Sequence, residues 1–224
     1  STLSSSSAAS DVYKRQITYT DEQKVTYNLD KVSMTAEVSS YAGLAGADIV
    51  IPDIIVNNGQ TYAITSIGTY AFSNSGIHSV IIGNNVVDIN TSAFQTTTAF
   101  PDYYKKSLTE VVLGAKVQNI KTDAFAGNAI SSIEFPNSVL KIATRAFANN
   151  NLTELSLGPN ITEIMAKAFQ SNQITTIEFA DESLTIVDSA AFSGSPVQSL
   201  TLGIGVTLAD DVFNKTSPLF GQLS

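Results

Sequence analysis

The sequence predicts a β-rich solenoid built from stacked repeats with a period near 22 residues. Three observations predict it. An Ala-Phe dipeptide recurs along most of the chain. Aliphatic residues hold a fixed phase to each Phe. A short apolar string follows most copies and is closed by Gly, Pro or Ala. Composition agrees with a packed chain: 43% of the 224 residues are apolar and 14% are charged. Disordered segments have the opposite balance.

The dipeptides are Ala71-Phe72, Ala93-Phe94, Ala124-Phe125, Ala146-Phe147, Ala168-Phe169 and Ala191-Phe192, with Val212-Phe213 as a degenerate seventh copy. Successive Phe residues lie 22, 31, 22, 22, 23 and 21 apart. The long interval reads as 22 plus a nine-residue insertion, placed within 96–106. Five residues before each Phe stands Ile67, Ile89, Ile120, Ile142, Ile164, Val187 or Leu208. Three residues earlier stands Ile64, Val86, Val117, Val139, Ile161 or Leu184, and only the last copy departs, with Gly205. After most Phe residues come the strings Ile77-Val80-Ile82, Leu108-Val111-Leu113, Ile130-Ile133-Phe135, Leu152-Leu155-Leu157, Ile174-Ile177-Phe179 and Val197-Leu200-Leu202. These match the L-x-x-L-x-L signature of leucine-rich repeats.

Each unit therefore holds a short strand, a return path and two turns. Alone it cannot bury its apolar side; stacked in register, the units fill a continuous core. Alternation along each string points the named aliphatics inward and the intervening residues outward. The expected architecture is one parallel sheet on one face, with short turns or 3₁₀/irregular segments on the return side. The recurring Phe predicts an aromatic stack along the solenoid. Ser75, Asn128, Asn150, Asn172 and Ser195, three residues after a Phe, predict a structural column that satisfies backbone groups where the chain bends.

The pattern resembles the BspA-like leucine-rich repeats of bacterial surface proteins, whose unit looks like I-x-x-x-A-F-x-x-N-x-L-x-x-I-x-L-P/G. Residues 142–158, IATRAFANNNLTELSLG, reproduce it. The resemblance covers residues 64–213, and the segment before it is similar to that family's entry region. There, 27–38 and 49–56 are strand-like and Asn58-Gly59 is a turn signal. The expected organisation is a tail over 1–16, an N-terminal β cap over 17–63 and a solenoid of about seven repeats over 64–224. The tail opens with a Ser/Ala tract expected to be disordered. Its residues 11–16, Asp-Val-Tyr-Lys-Arg-Gln, are similar to one reading frame of a sequencing-library adapter, so the natural N-terminus is expected to be missing. At the other end Leu219 and Phe220 offer only a weak C-terminal cap, and a further truncation there is the alternative.

Charge narrows the function. Twelve Lys and Arg against 20 Asp and Glu give a net charge of −8 and a pI near 4.5. Nucleic acid and anionic membranes both require a positive field, so neither is an expected partner. No stretch is long and apolar enough for a spanning helix. There is no Cys and a single His, His78. Thiolate chemistry and multi-histidine metal sites are excluded, and no cofactor is expected. His78 has no fixed-spacing triad around it. The pairs Asp181-Glu182 and Asp210-Asp211 sit at turns without a cleft. Gly203-Ile204-Gly205 lacks the remainder of a dinucleotide fingerprint.

Two surfaces remain. Outward positions Glu110, Glu134, Glu154 and Glu178 alternate between two columns of the strand face and trace an acidic zigzag. It either recognises a basic protein segment or simply keeps like charges off adjacent positions. The insertion carries Phe100, Tyr103, Tyr104, Lys105 and Lys106, aromatic and basic side chains that either anchor a partner or pack back onto the solenoid. The resemblance implies a noncatalytic, secreted or surface-exposed module that binds host extracellular-matrix or microbial surface proteins. The alternatives are a passive spacer of a larger surface protein and a carbohydrate-binding module using the loop aromatics.

Overall fold

The computed structural model describes residues 16–97, 107–181 and 185–213. The Ser/Ala and adapter-like tail up to Arg15, the loop residues Phe100, Tyr103, Tyr104, Lys105 and Lys106, Leu184, and the C-terminal stretch with Leu219 and Phe220 lie outside the described residues.

The first strands are β1 (Gln16–Thr20), β2 (Val25–Asp30), β3 (Thr35–Tyr41), β4 (Asp48–Ile51), β5 (Ile54–Asn57) and β6 (Gln60–Ile67). β1 begins at Gln16, which the sequence reading assigned to the tail. Strict alternation in β2 buries Val25, Tyr27 and Leu29 completely and turns their neighbours outward. β1, β2 and β3 form an antiparallel meander, and β5 and β6 a hairpin through Asn58-Gly59, both residues having positive φ. β3 pairs parallel with β6, which joins this entry region to the repeats.

The repeats contribute β7 (Ser79–Ile82), β8 (Asp88–Ile89), β9 (Glu110–Val112), β10 (Asn119–Ile120), β11 (Lys141–Ile142), β12 (Glu154–Leu157), β13 (Glu163–Ile164), β14 (Thr176–Phe179), β15 (Ile186–Val187), β16 (Ser199–Thr201) and β17 (Thr207–Leu208). Among the described residues there is no helix, hence none long and apolar enough to cross a membrane. The two-residue strands carry the aliphatic that stands five residues before each Phe. They pair parallel in the order β6-β8-β10-β11-β13-β15-β17 and continue the entry meander into one sheet of 11 strands.

The other face differs from expectation. The L-x-x-L-x-L strands make two sheets of three, β4-β7-β9 and β12-β14-β16, instead of one. The interruption falls on the rung containing Ile133. Two rungs further on, the residue that follows the apolar string, Ala180, donates its amide to Leu157 O at 3.0 Å. Its counterpart here is Pro136, which has no amide to give. Residues 131–135 make no backbone hydrogen bond to either neighbouring rung.

The core is the predicted aromatic stack. Ring centroids from Phe72 through Phe94, Phe125, Phe147, Phe169 and Phe192 to Phe213 are separated by 4.9, 5.0, 5.1, 5.5, 5.7 and 5.9 Å. Tyr41 extends the stack at its start, 5.4 Å from Phe72. The spacing is close to the ~4.8 Å separation of paired strands. Phe94 and Phe125 flank the insertion yet stack with their planes only 2° apart.

The polar column is structural, as its spacing predicts. Asn150 Nδ2 donates to Phe125 O at 2.9 Å and Phe147 O at 3.2 Å, while its Oδ1 accepts from Ile130 N. Asn172 repeats this on Phe147 O, Phe169 O and Leu152 N. Asn128 keeps both carbonyl contacts, but its Oδ1 accepts from Thr96 Oγ1. Ser195 is too short for the role, and its buried Oγ has no hydrogen-bond partner.

A second column escaped the sequence reading. The residue two before each Ala-Phe aromatic is left-handed: Tyr70, Ser92, Asp123, Arg145, Lys167 and Ala190 have φ between 54° and 60°. None is Gly, so each turn carries a conformational cost of about 1–2 kcal/mol that core packing must offset.

Replacing Phe147 by Ala should lower stability by about 3–5 kcal/mol, because it opens a cavity between two stacked rings. A urea melt with an unchanged midpoint would contradict the stack. Ser195→Asn should instead raise stability by about 1 kcal/mol by making the missing bonds to neighbouring carbonyls. The readout is a higher urea midpoint at an unchanged slope.

Candidate functional site

The strand face presents two columns of outward side chains. Register pairs Asp48 with Ser79 and Ser79 with Glu110, then Glu154 with Thr176 and Thr176 with Ser199. The second column pairs Val50 with Ile81 and Ile81 with Val112, then Ser156 with Glu178 and Glu178 with Thr201. Glu110, Glu134, Glu154 and Glu178 are all exposed, and no two stand directly opposite in these registers. None makes a side-chain hydrogen bond or ion pair with the described residues. The strings from rung to rung, residues 77–82, 108–113, 130–135, 152–157, 174–179 and 197–202, contain no Lys or Arg.

The described cations stand elsewhere and are mostly engaged. Lys141 pairs with Glu163 at 2.6 Å, both in the short-strand sheet. Arg145 makes a two-pronged bond to Asp123, with Nε to Oδ1 at 2.8 Å and Nη2 to Oδ2 at 2.6 Å. That bond raises the guanidinium pKa further above its usual value. Lys116 and Lys121 donate to Asn85 and Asn90 one rung back. Among the described residues no Lys or Arg lies in the strings of the strand face, and Glu110, Glu134, Glu154 and Glu178 have no cationic partner there.

The first half of the face is also apolar. Val50, Ile81 and Val112 line up in register and are each about half exposed, at 49%, 48% and 56%. Gln23 covers the outer edge of this half. Its Nε2 donates to Val50 O at 2.9 Å, and its Oε1 accepts from Val50 N at 3.0 Å. One side-chain amide thereby stands in for a paired strand.

His78 is less isolated than the sequence implied. Its Nδ1 lies 2.9 Å from Asp48 Oδ1 and its Nε2 lies 3.2 Å from Thr109 Oγ1. Ser79 Oγ also donates to Asp48 Oδ1, at 2.6 Å. The signal was the shared register of three neighbouring rungs: Asp48, His78 and Thr109 lie 30 and 31 residues apart. The order carboxylate, imidazole, hydroxyl resembles a nucleophile relay. However, both His78 and Asp48 are half exposed or more, at 50% and 71% of the side chain, so water competes for every bond. Among the described residues no cluster of three or more His, Asp or Glu side chains is placed to hold a metal.

Six copies of the BspA-type leucine-rich-repeat region match the chain, over residues 51–101 and 98–219. The chain belongs to the BspA-type leucine-rich-repeat family. No curated protein matches it significantly. Among solved structures, a leucine-rich-repeat protein of Bacteroides ovatus superposes with a TM-score of 0.59 at 19% identity. That match covers 86% of this chain and 61% of the other, so this chain spans less than two thirds of that relative. A leucine-rich-repeat protein of T. pallidum gives a TM-score of 0.52 at 16% identity, covering 78% of this chain and 88% of the other. At such identities the likeness carries the fold alone. The BspA-type repeat supplies the strand face, and this chain's own residues set its chemistry.

The bonds from Ser79 and His78 hold the Asp48 carboxyl below the usual carboxylate range. Being depressed, its small contribution to stability is present above the unfolded pKa of 3.8 and is lost as pH falls through the folded value. An NMR titration should find the Asp48 midpoint below 3.8 in the native protein. In Ser79→Ala it should move back up, since that hydroxyl is the larger cause.

Proposed function

We propose that this chain is the partner-binding part of a bacterial surface protein and that its acidic strand face recognises a basic protein segment. The observation that carries the reading is the segregation of charge. Four exposed glutamates without a partner among the described residues stand on a face that contains no Lys or Arg along its strands. Stacked repeats work through such faces, since residues between the inward aliphatics are free of packing duties. An uncompensated field of one sign steers an oppositely charged partner and raises its association rate. The surface location and the class of partner, host extracellular-matrix or other microbial surface proteins, follow from resemblance to BspA-like proteins. The aromatic and basic insertion, with Phe100, Tyr103, Tyr104, Lys105 and Lys106, is proposed as a second contact at the same partner.

The protein should show saturable binding to a purified matrix protein, weakening as ionic strength rises from about 0.05 to about 0.5 M. Changing Glu110, Glu134, Glu154 and Glu178 together to Gln should weaken it about tenfold or more, mainly through a slower on-rate. Surface plasmon resonance reads both. Unchanged affinity in the four-Gln variant removes the acidic face. Absence of binding to every matrix protein tested leaves a passive spacer.

A further inference from the structure

The split between the two strand-face sheets makes a site of its own. Where the rungs diverge, a cleft of about 440 Å³ opens on the outward face. Val111, Val112 and Leu113 form one wall, and Ser132, Ile133, Glu134, Phe135 and Pro136 form the other. Elsewhere on this face the rungs are in tight contact. A Cβ added at Gly114 would fall onto the carbonyl of Gly83, and one added at Gly203 onto that of Ala180. At Gly158, the next rung after Pro136, the nearest atom would be Asn137 Oδ1, 3.5 Å away. The looseness therefore belongs to this rung and not to the fold in general.

The cleft is chemically uneven. Residues 131–135 make no backbone hydrogen bond to a neighbouring rung, so both their N–H and their C=O groups are unpaired across the rungs, and the carbonyls can accept. The Glu134 carboxylate lines the cleft, with Glu110 and Glu154 exposed on the strands to either side. Val112 supplies an apolar wall that is 56% exposed. No Lys or Arg lies in the strings that form this face.

We infer that this seam is the specificity pocket of the acidic face and receives an arginine side chain projecting from the partner's basic segment. The inference rests on the protein-binding reading above. The aliphatic stem would lie along Val112 while the guanidinium meets the Glu134 carboxylate and the unpaired carbonyls. Arginine suits such a site better than lysine. It carries five donors in a planar fork, matches a carboxylate with two parallel bonds and is more weakly hydrated than an ammonium. A paired β-sheet face offers no such concavity, which is why the seam and not the zigzag as a whole would fix the register of the partner.

The test uses the whole chain and a fluorescent peptide of alternating Arg and Ser, with matched peptides carrying Lys or neutral citrulline in place of Arg. Saturable binding of the Arg peptide is expected by anisotropy, weaker by about tenfold for the Lys peptide and more so for citrulline. Ser132→Trp, an exposed position on the seam wall, should abolish it by filling the cleft. Val112→Trp serves as a second filling variant should the first fail to fold. Thr201→Trp, exposed on the same face but far from the seam, should bind within about twofold of the native protein. If the filled variants bind as well as the native chain while the four-Gln variant does not, the seam is overturned and the acidic-face reading stands. If the Lys peptide binds as tightly, the arginine assignment falls. If no peptide binds the native chain while a matrix protein does so in a Glu-dependent way, the arginine pocket falls and the acidic-face reading stands.

Discussion

The Phe stack sets the spacing that every other feature inherits. Seven rings stand 4.9 to 5.9 Å apart down the solenoid, close to the distance at which parallel strands pair. A flat ring tolerates little variation along its normal without overlap or a void. Once the rings are in contact, the short strands on one side and the longer ones on the other are brought within hydrogen-bonding range. The Asn column then fixes the turn against the ring, since each amide bridges the Phe carbonyls of two successive rungs. Aromatic packing sets the distance and the amide sets the rotation.

Most of this was legible in the sequence because the repeat places each residue type in phase. The Phe stack, the inward aliphatics and the Asn column each follow from one recurring position. The interrupted sheet was harder to see. Pro136 occupies a position where Gly and Ala also occur, and only its missing amide sets it apart. The left-handed column was hidden for a different reason. Tyr70, Ser92, Asp123, Arg145, Lys167 and Ala190 share a conformation but no chemistry, and none is a Gly that would advertise it. Likewise Asp48 and His78 are far apart in sequence, and their meeting is visible only once rung register is assigned.

The strand face is chemically divided. Its first half is apolar along Val50, Ile81 and Val112, and its second half is polar and acidic at Ser156, Glu178 and Thr201. The junction falls at the rung that leaves the sheet. Screening reduces the reach of the carboxylates to about 8–10 Å at ordinary salt, so the field of the acidic half acts only near contact.

The undisturbed contact between Phe94 and Phe125 has an evolutionary consequence. The rings meet at 5.0 Å although the chain between them is nine residues longer than in a standard unit. The core therefore does not register the length of that excursion. Extending it further would carry only a closure entropy of about 0.6 kcal/mol per doubling. A lineage could replace the inserted residues within 96–106, altering what the surface displays while leaving stability to the rings and to the strands that follow. Variation at this point is decoupled from the fold, as it is in the hypervariable loops of an immune receptor.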